Sequence, residues 1–300
     1  VEDLTVFIIT DSNYSDSSLV SLHSFRKYHT LPVKVYCLDF TENEFEKYRD
    51  NANKIGNVTP INWKMPKLNS SCYSWNKYYY NVFNQISAKF AILNDIHTKW
   101  VLYFDTDTLF INSIAGIFDN PDDLNGVCLN KSQVDINCGL FMLKNKEIDW
   151  LKEYINYCQN HSTDYFGIDE GFLSTLYKGH IKQLPDFYSI NGYYDITKDT
   201  KMIHYMGAIK PFQMTSSYNL MCSKFNKHFK LWYDYYDTVK DLFVFSDKFN
   251  NDVNTIRHTK FNIGKINNDN LDMRIFISAG EKGLQLIMNR MITEHARGKS

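Results

Sequence analysis

Short, wholly apolar runs alternate with amphipathic stretches through the first half of the chain. Leu4 to Thr10 (LTVFIIT) is an apolar run closed by Asp11-Ser12-Asn13, which reads as a buried first strand. Asp16 to Tyr28 carries Leu19, Leu22 and Phe25 at three-residue steps, a helical spacing. Val33 to Leu38 is a second strand, and Thr41-Glu42-Asn43-Glu44 is a capping box that opens a second helix. Val58 to Trp63 reads as a third strand, interrupted by Pro60, and Ser74 to Leu93 as a mostly helical aromatic stretch. Trp100 to Phe104 (WVLYF) is the strongest buried-strand signal and runs straight into Asp105-Thr106-Asp107. Strands alternating with helices predict an α/β fold with a mainly parallel, twisted sheet flanked by helices. Ligands of such sheets sit beyond the carboxyl ends of the strands, where Asp11 and Asp105 fall.

Beyond Asn112 the alternation weakens. Gly139 to Leu143 reads as a strand, Glu147 to Gln159 as a helix, Gly167 to Tyr177 as a loop then a helix, and Met202 to Tyr205 as a short apolar segment before Gly207. From Phe212 onward the chain is rich in Tyr, Phe, Lys and Asn, with helical stretches near Lys224–Phe243 and Glu281–Arg297. The expected organisation is a main α/β domain over 1–212 and a C-terminal helical extension over 213–300 packed on it.

Lys and Arg total 33 against 34 Asp and Glu, a formal net charge of −1 in 300 residues, so no basic excess marks a nucleic-acid partner. Six cysteines without a CxxC pair suit buried reduced thiols rather than a disulfide framework or a zinc site. No stretch reaches the ~18 apolar residues of a membrane span, and the Val1-Glu2-Asp3 start shows no secretory pattern. The expectation is a cytoplasmic protein. Leu284, Ile287, Met288 and Met291 make Glu281–Arg297 amphipathic, with Arg290 and Arg297 among its polar residues. It would pack on the catalytic body or touch the inner face of an anionic membrane peripherally.

Several groups could carry chemistry. Asp105 and Asp107, one residue apart after a buried strand, can approach one hard cation such as Mg²⁺ or Mn²⁺. Such an ion would neutralise a departing diphosphate. In His204-Tyr205-Met206-Gly207-Ala208-Ile209-Lys210-Pro211-Phe212, the imidazole could complete that site. Gly207 would admit a phosphate and Lys210 would supply positive charge. Asp11 and Asn13 can hydrogen-bond a base or ribose on which Tyr14 stacks, although Asp, Ser and Asn here also suit a plain turn. Asn137 and Gly139 stand at a strand entrance. Asp169-Glu170 at a helix start could cap it or grip sugar hydroxyls. Lys89 lies on the helix leading toward the DxD strand.

Taken together and in this order, TDSNY, AKF, LYFDTD, NCG, the DE pair and HYMGAIKPF resemble glycosyltransferase family 8 over about residues 4–213. That family has the GT-A fold and contains retaining sugar transferases, among them lipooligosaccharide galactosyl- and glucosyltransferases and glycogenin. The resemblance implies that Asp105, Asp107 and His204 ligate Mn²⁺ or Mg²⁺. Thr10, Asp11, Asn13 and Tyr14 would hold the uracil and ribose of a UDP-sugar, with Thr106 beside the ribose and Gly207 and Lys210 on the diphosphate. Lys89, Asn137, Gly139, Asp169 and Glu170 would line the donor-sugar pocket, and Asp169 and Glu170 would be the catalytic carboxylates.

The family often carries Asp-Gln where this chain has Asp169-Glu170, so Glu170 could be a nucleophile or an electrostatic support. An Asp that usually precedes the NxG element has only Asn130 as a counterpart, and Met206 lies where acceptor contacts fall. The implied activity is metal-dependent transfer of a hexose, glucose or galactose, from a UDP-sugar to a glycan, glycolipid or glycoprotein acceptor. The competing readings are a sugar nucleotidyltransferase, which should show a glycine-rich loop that TDSNYSDSS lacks, and a catalytically silent sugar-nucleotide or glycan-binding module.

Overall fold

The computed structural model describes residues 3–66, 68, 80–130, 133–160, 168–191, 195–206, 210–213 and 223–258. These fall into two compact units. The first takes in Val1–Ile190, Ile196–His204 and Leu242–Val244, and the second the described residues of Asn191–Asp195, Tyr205–Asp241 and Phe245–Ser300.

The first unit begins as the sequence pattern predicts. Strand β1 (Leu4–Thr10), helix α1 (Ser15–Arg26), β2 (Val33–Leu38), α2 (Glu42–Asn53) and β3 (Val58–Trp63) follow one another, then α3 (Tyr80–Asn94) and β4 (Trp100–Phe104). The sheet order is β3-β2-β1-β4-β7-β6-β8, where β6 is Leu124–Asn130, β7 Gln133–Lys144 and β8 Ile181–Leu184. Pairs β1–β2, β2–β3, β1–β4 and β6–β8 are parallel, whereas β7 runs antiparallel to both β4 and β6. The result is a mixed sheet of mostly parallel strands flanked by helices. Strand β1 is mostly apolar because both its faces are covered, and Val6, Phe7, Ile8 and Ile9 are all buried. Pro60 does not break β3. It is tolerated there because β3 is the edge strand.

Thr41 caps α2 as its sequence predicts, accepting from the Glu44 amide while Glu44 accepts from the Thr41 amide at 2.8 Å. Helix α1 is less obvious. It buries Ser17, Ser18, Ser21 and Ser24 alongside Leu19, Leu22 and Phe25. The serines bring it close to β5 (Thr108–Phe110): Ser21 Oγ lies 2.7 Å from Thr108 Oγ1, and Ser24 Oγ accepts from the Phe110 amide. Helices α4 (Trp150–Asn160) and α5 (Ile168–Leu176) join the core, where Phe90 stacks on Tyr154 and Phe172 meets both edge-on. Strand β7 is far longer than the expected Gly139–Leu143, and β5, β6 and β8 were not anticipated. Their runs are short or carry Asn and Gly, so no periodicity marks them.

A second sheet has the order β5-β10-β9, with β9 Ile190–Asn191 and β10 Met202–His204. Strand β10 pairs antiparallel with β5, His204 opposite Thr108. Among the described residues Cys37, Cys128, Cys138 and Cys158 are buried thiols outside any disulfide, as expected. Cys72 and Cys222 lie outside those residues.

The second unit holds α6 (Ser223–Val239) and α7 (Asp247–His258). Its core is aromatic: Trp232 stacks on Tyr236, and Phe245 on Phe249. The helix expected to run to Phe243 stops at Val239, and α7 was missed. Downstream, Leu242–Val244 belong to the first unit, within which the side-chain amide of Asn51 bonds both the carbonyl and the N–H of Val244, so this backbone cannot continue a helix. Ser246 then caps α7 through its hydroxyl on the Phe249 amide. The stretch Glu281–Arg297 lies outside the described residues. Among the described residues, no helix is long and apolar enough to cross a membrane.

His29 should make the first unit acid-sensitive. Its buried ring stacks on Phe25, and Nε2 accepts from the Ile114 amide at 3.1 Å. Burial, and then Arg26, lower its pKa from 6.5 to about 4. A basic group held neutral contributes stability that is full above its ordinary pKa and is lost as pH falls through the lowered one. Thermal melts should therefore fall steeply between pH 6.5 and 4, and His29→Gln should flatten that fall. An unchanged slope in the variant would sink this assignment.

Candidate active site

Strands β1 and β4 are parallel neighbours, so Asp11 and Asp105 leave the sheet at the same edge. Strand β7 enters antiparallel at that edge: Leu140 pairs with Phe104, and the Asp105 amide donates to the Gly139 carbonyl at 3.0 Å. The turn after β4 carries Asp107, and β10 returns His204 opposite the residue that follows it. Four separate stretches of chain thus converge.

Asp105, Asp107 and His204 each offer one ligand atom, and these atoms lie within 4.8 Å of one another. His204 Nε2 is 3.3 Å from Asp105 Oδ2 and 3.1 Å from Asp107 Oδ1. The donor set, two hard carboxylate oxygens and an imidazole nitrogen, fits a divalent cation such as Mn²⁺ or Mg²⁺. Burial works against a charge on His204. Asp107, the hydrogen bonds to Asp105 and Asp107, and then Asp105 outweigh it and raise the pKa to about 9. Burial also opposes charge on Asp105, but Lys89 and the His204 hydrogen bond prevail and its pKa is lowered.

Lys89 projects from α3 into this cluster. Its Nζ donates to Asp169 Oδ2 at 2.9 Å, lies 3.7 Å from Asp105 Oδ1 and sits 4.8 Å above the Tyr103 ring. Burial disfavours its charge, yet Asp105 and Asp169 hold its pKa well above the ordinary lysine value. Tyr103 donates to Asp105 Oδ1 at 2.5 Å. A cleft of about 270 Å³ opens beside these groups, with Asp11, Tyr14, Lys89, Asp105, Thr106, Asp107 and Asp169 among its polar lining and Ile9, Leu38 and Ile86 as its apolar wall.

No family model matches the chain, and no curated protein matches its sequence. Solved structures do match. The galactosyltransferase LgtC in complex with donor and acceptor sugar analogs has a TM-score of 0.63 at 15% identity, over 83% of this chain and 99% of that one. An LgtC active-site mutant with Gln changed to Glu has a TM-score of 0.62 at 16% identity, over 83% and 99%. The apo form of the glycosyltransferase GlyE of Streptococcus pneumoniae TIGR4 has a TM-score of 0.57 at 17% identity, over 81% of this chain. The chain spans 65% of the length of that GlyE chain. The fold is the GT-A glycosyltransferase fold.

Within this GT-A frame the expected residues are not all placed alike. Asp11 and Tyr14 line the cleft, but Asp11 Oδ1 also accepts from the amides of Asn13 and Tyr14 and so holds the turn into α1. Thr10 is buried with its hydroxyl on the Asp11 carbonyl, and Asn13 is exposed; neither lines the cleft. Asn137 and Gly139 lie against His204. Glu170 is partly buried behind the cleft, where Oε1 accepts from Asn137 Nδ2 at 3.5 Å and from the Cys138 amide at 3.4 Å. Lys210 belongs to the second unit, where its Nζ donates to the Tyr205 carbonyl. Gly207 lies outside the described residues. Sequence reasoning missed Tyr103. The signal was there: Tyr103 and Asp105 are two residues apart at a strand end and so share a face.

Burial, then Asp169, raise the Glu170 pKa from 4.5 to about 8. A carboxyl group with a raised pKa contributes stability that is full below its ordinary value and is lost as pH rises through the raised one. Glu170→Gln should match the parent at pH 4 in denaturant unfolding and exceed it at pH 9. Equal stability at pH 9 would mean that the Glu170 carboxylate is well solvated.

Proposed function

We propose that this chain is a family 8 retaining glycosyltransferase that moves a hexose, glucose or galactose, from a UDP-sugar to a hydroxyl of a glycan or glycoconjugate acceptor. The observation that carries the reading is the convergence of Asp105, Asp107 and His204, the two aspartates lining a cleft at the carboxyl ends of β1 and β4. The GT-A frame, and a like structure described with donor and acceptor sugar analogs, support the same chemistry. In this reading residues 1–212 are the catalytic domain and 213–300 an extension.

Asp105, Asp107 and His204 would hold Mn²⁺ or Mg²⁺, whose charge would be set against that of a departing diphosphate. The protein's own groups do the rest. Asp11, Asn13 and Tyr14 would take the uracil and ribose with Thr10 supporting the turn, and Thr106 would lie beside the ribose. Gly207 and Lys210 would reach the diphosphate. Lys89 pairs with Asp169 and Asp105 in a buried setting and holds the Asp105 carboxyl in its ionised form, and Asp169 would face the sugar. Glu170 is held by two donors and by surroundings that favour its neutral form, which argues against nucleophilic attack by it. We therefore favour substitution on the face that UDP leaves, the leaving phosphate oxygen taking the acceptor proton, so that configuration is retained without a protein nucleophile.

The test is UDP release from UDP-glucose, UDP-galactose and their N-acetyl forms, each with Mn²⁺ and with a chelator. Metal-dependent release from one donor is expected and would identify its sugar. A folded chain that binds UDP and Mn²⁺ yet releases nothing from any donor, with or without added saccharide acceptors, would overturn the reading in favour of a silent binding module.

A further inference from the structure

Asn137 and Gly139 stand out because the structure engages them with His204 rather than with the cleft. The Gly139 amide donates to Asn137 Oδ1 at 2.9 Å. A backbone N–H can only donate, so that atom of the amide is the oxygen and the side chain's orientation is fixed. Its other end, Nδ2, then points at Glu170 Oε1. The same oxygen lies 3.1 Å from His204 Nδ1. An oxygen with no hydrogen can only accept, so Nδ1 must carry the ring proton. The remaining nitrogen, Nε2, is the one facing Asp105 Oδ2 and Asp107 Oδ1. Gly139 makes the room, since a Cβ there would overlap the His204 ring and crowd Asn137 Oδ1. All these groups are buried or nearly so, which limits competition from water.

We infer that the Asn137-Cys138-Gly139 element is the seat of His204: Asn137 is a positioning residue that fixes the imidazole tautomer, presenting the Nε2 lone pair to a cation shared with Asp105 and Asp107, and links that ligand to Glu170. The inference rests on the metal-assisted reading above, and it gives Asn137 a role other than wall of the sugar pocket. It also accounts for why two non-adjacent strands, β7 and β10, must meet at this point. A partner of this kind, on the far nitrogen of a ligating histidine, typically sets metal affinity by about 10–100-fold.

The test uses the whole chain and Mn²⁺ alone, without any UDP-sugar. Asn137→Ala should weaken Mn²⁺ binding by about 10–100-fold, whereas Asn137→Asp, which keeps an acceptor for Nδ1–H, should stay within a few-fold of the parent. In histidine-labelled protein the His204 Nδ1–H should give a slowly exchanging proton resonance, retained in Asn137→Asp and lost in Asn137→Ala. That resonance is read without metal, so it decides the seat even if no donor is turned over and the glycosyltransferase reading fails. Equal Mn²⁺ affinity in Asn137→Ala, or equal losses in the Ala and Asp variants, would overturn the inference. Should Asn137→Ala not fold, the parent still decides: a His204 Nδ1–H that exchanges at once with solvent means that no fixed acceptor holds it.

Discussion

Asp107→Asn is expected to lower metal-dependent UDP release by about 10²–10³-fold while the chain stays folded. A metal at a departing phosphoryl group supplies several kcal/mol of charge stabilisation, and each ~1.4 kcal/mol is tenfold in rate. Asn keeps the shape of Asp107 and removes one charge from a pocket that also holds Asp105 and Asp169. His204 then loses the largest attraction that offsets its burial. His204 keeps Asp105 as a partner, so the cost in folding should stay below the about 3–5 kcal/mol of a buried charge left wholly unpaired. The decisive comparison is with the chelator. Chelated parent and chelated variant should release UDP at the same residual rate, since both lack the same ion, and effects of groups acting as one unit do not add. A variant that still responds to Mn²⁺ as the parent does would remove Asp107 from the metal site and leave the acidic pair as a structural partner of His204.

How much of this was legible beforehand follows from where each signal resides. Strands β1, β2 and β4 were readable because central strands covered on both faces are predominantly apolar, as WVLYF and LTVFIIT are. The capping box of α2 is a local contract between Thr41 and Glu44 and held for that reason. The antiparallel β7–β6 pair was not readable, because Asn125, Gly126 and Asn137 interrupt its apolar pattern. Those same residues are buried and bonded, Asn125 Nδ2 donating to the Asp122 and Met142 carbonyls. The sequence could pick out Asp105, Asp107 and His204 by type and order. It could not show that Asn137 faces an imidazole or that Glu170 stands behind the cleft, because those facts depend on a crossing between sheets that no spacing along the chain encodes. The turn after β1 was legible from its residue types, and Asp11 Oδ1 holds it by accepting from the amides of Asn13 and Tyr14.

Lys89→Met should be the most damaging substitution to the fold among those at the site. Lys89 and Asp169 have side chains only 9% and 11% exposed, and the ion pair between them is 2.9 Å long. Asp105 and the Tyr103 ring complete the surroundings of the ammonium group. Methionine fills nearly the same volume, so no cavity is made and the effect isolates the charge. What remains is a carboxylate on α5 and another after β4, both turned toward an apolar side chain. Removing one partner of a buried pair costs about 3–5 kcal/mol, because the surviving charge has lost its water and now its counterion. In a unit of this size that corresponds to a fall of about 10 °C or more in Tm. Adding Asp169→Asn should restore part of the loss, because the stranded charge is then gone, and the recovery measures the penalty directly. A single variant that melts within about 2 °C of the parent would mean that water reaches these carboxylates freely. In that case the cleft is wet down to Asp169, and Lys89 would serve a bound anion rather than the fold.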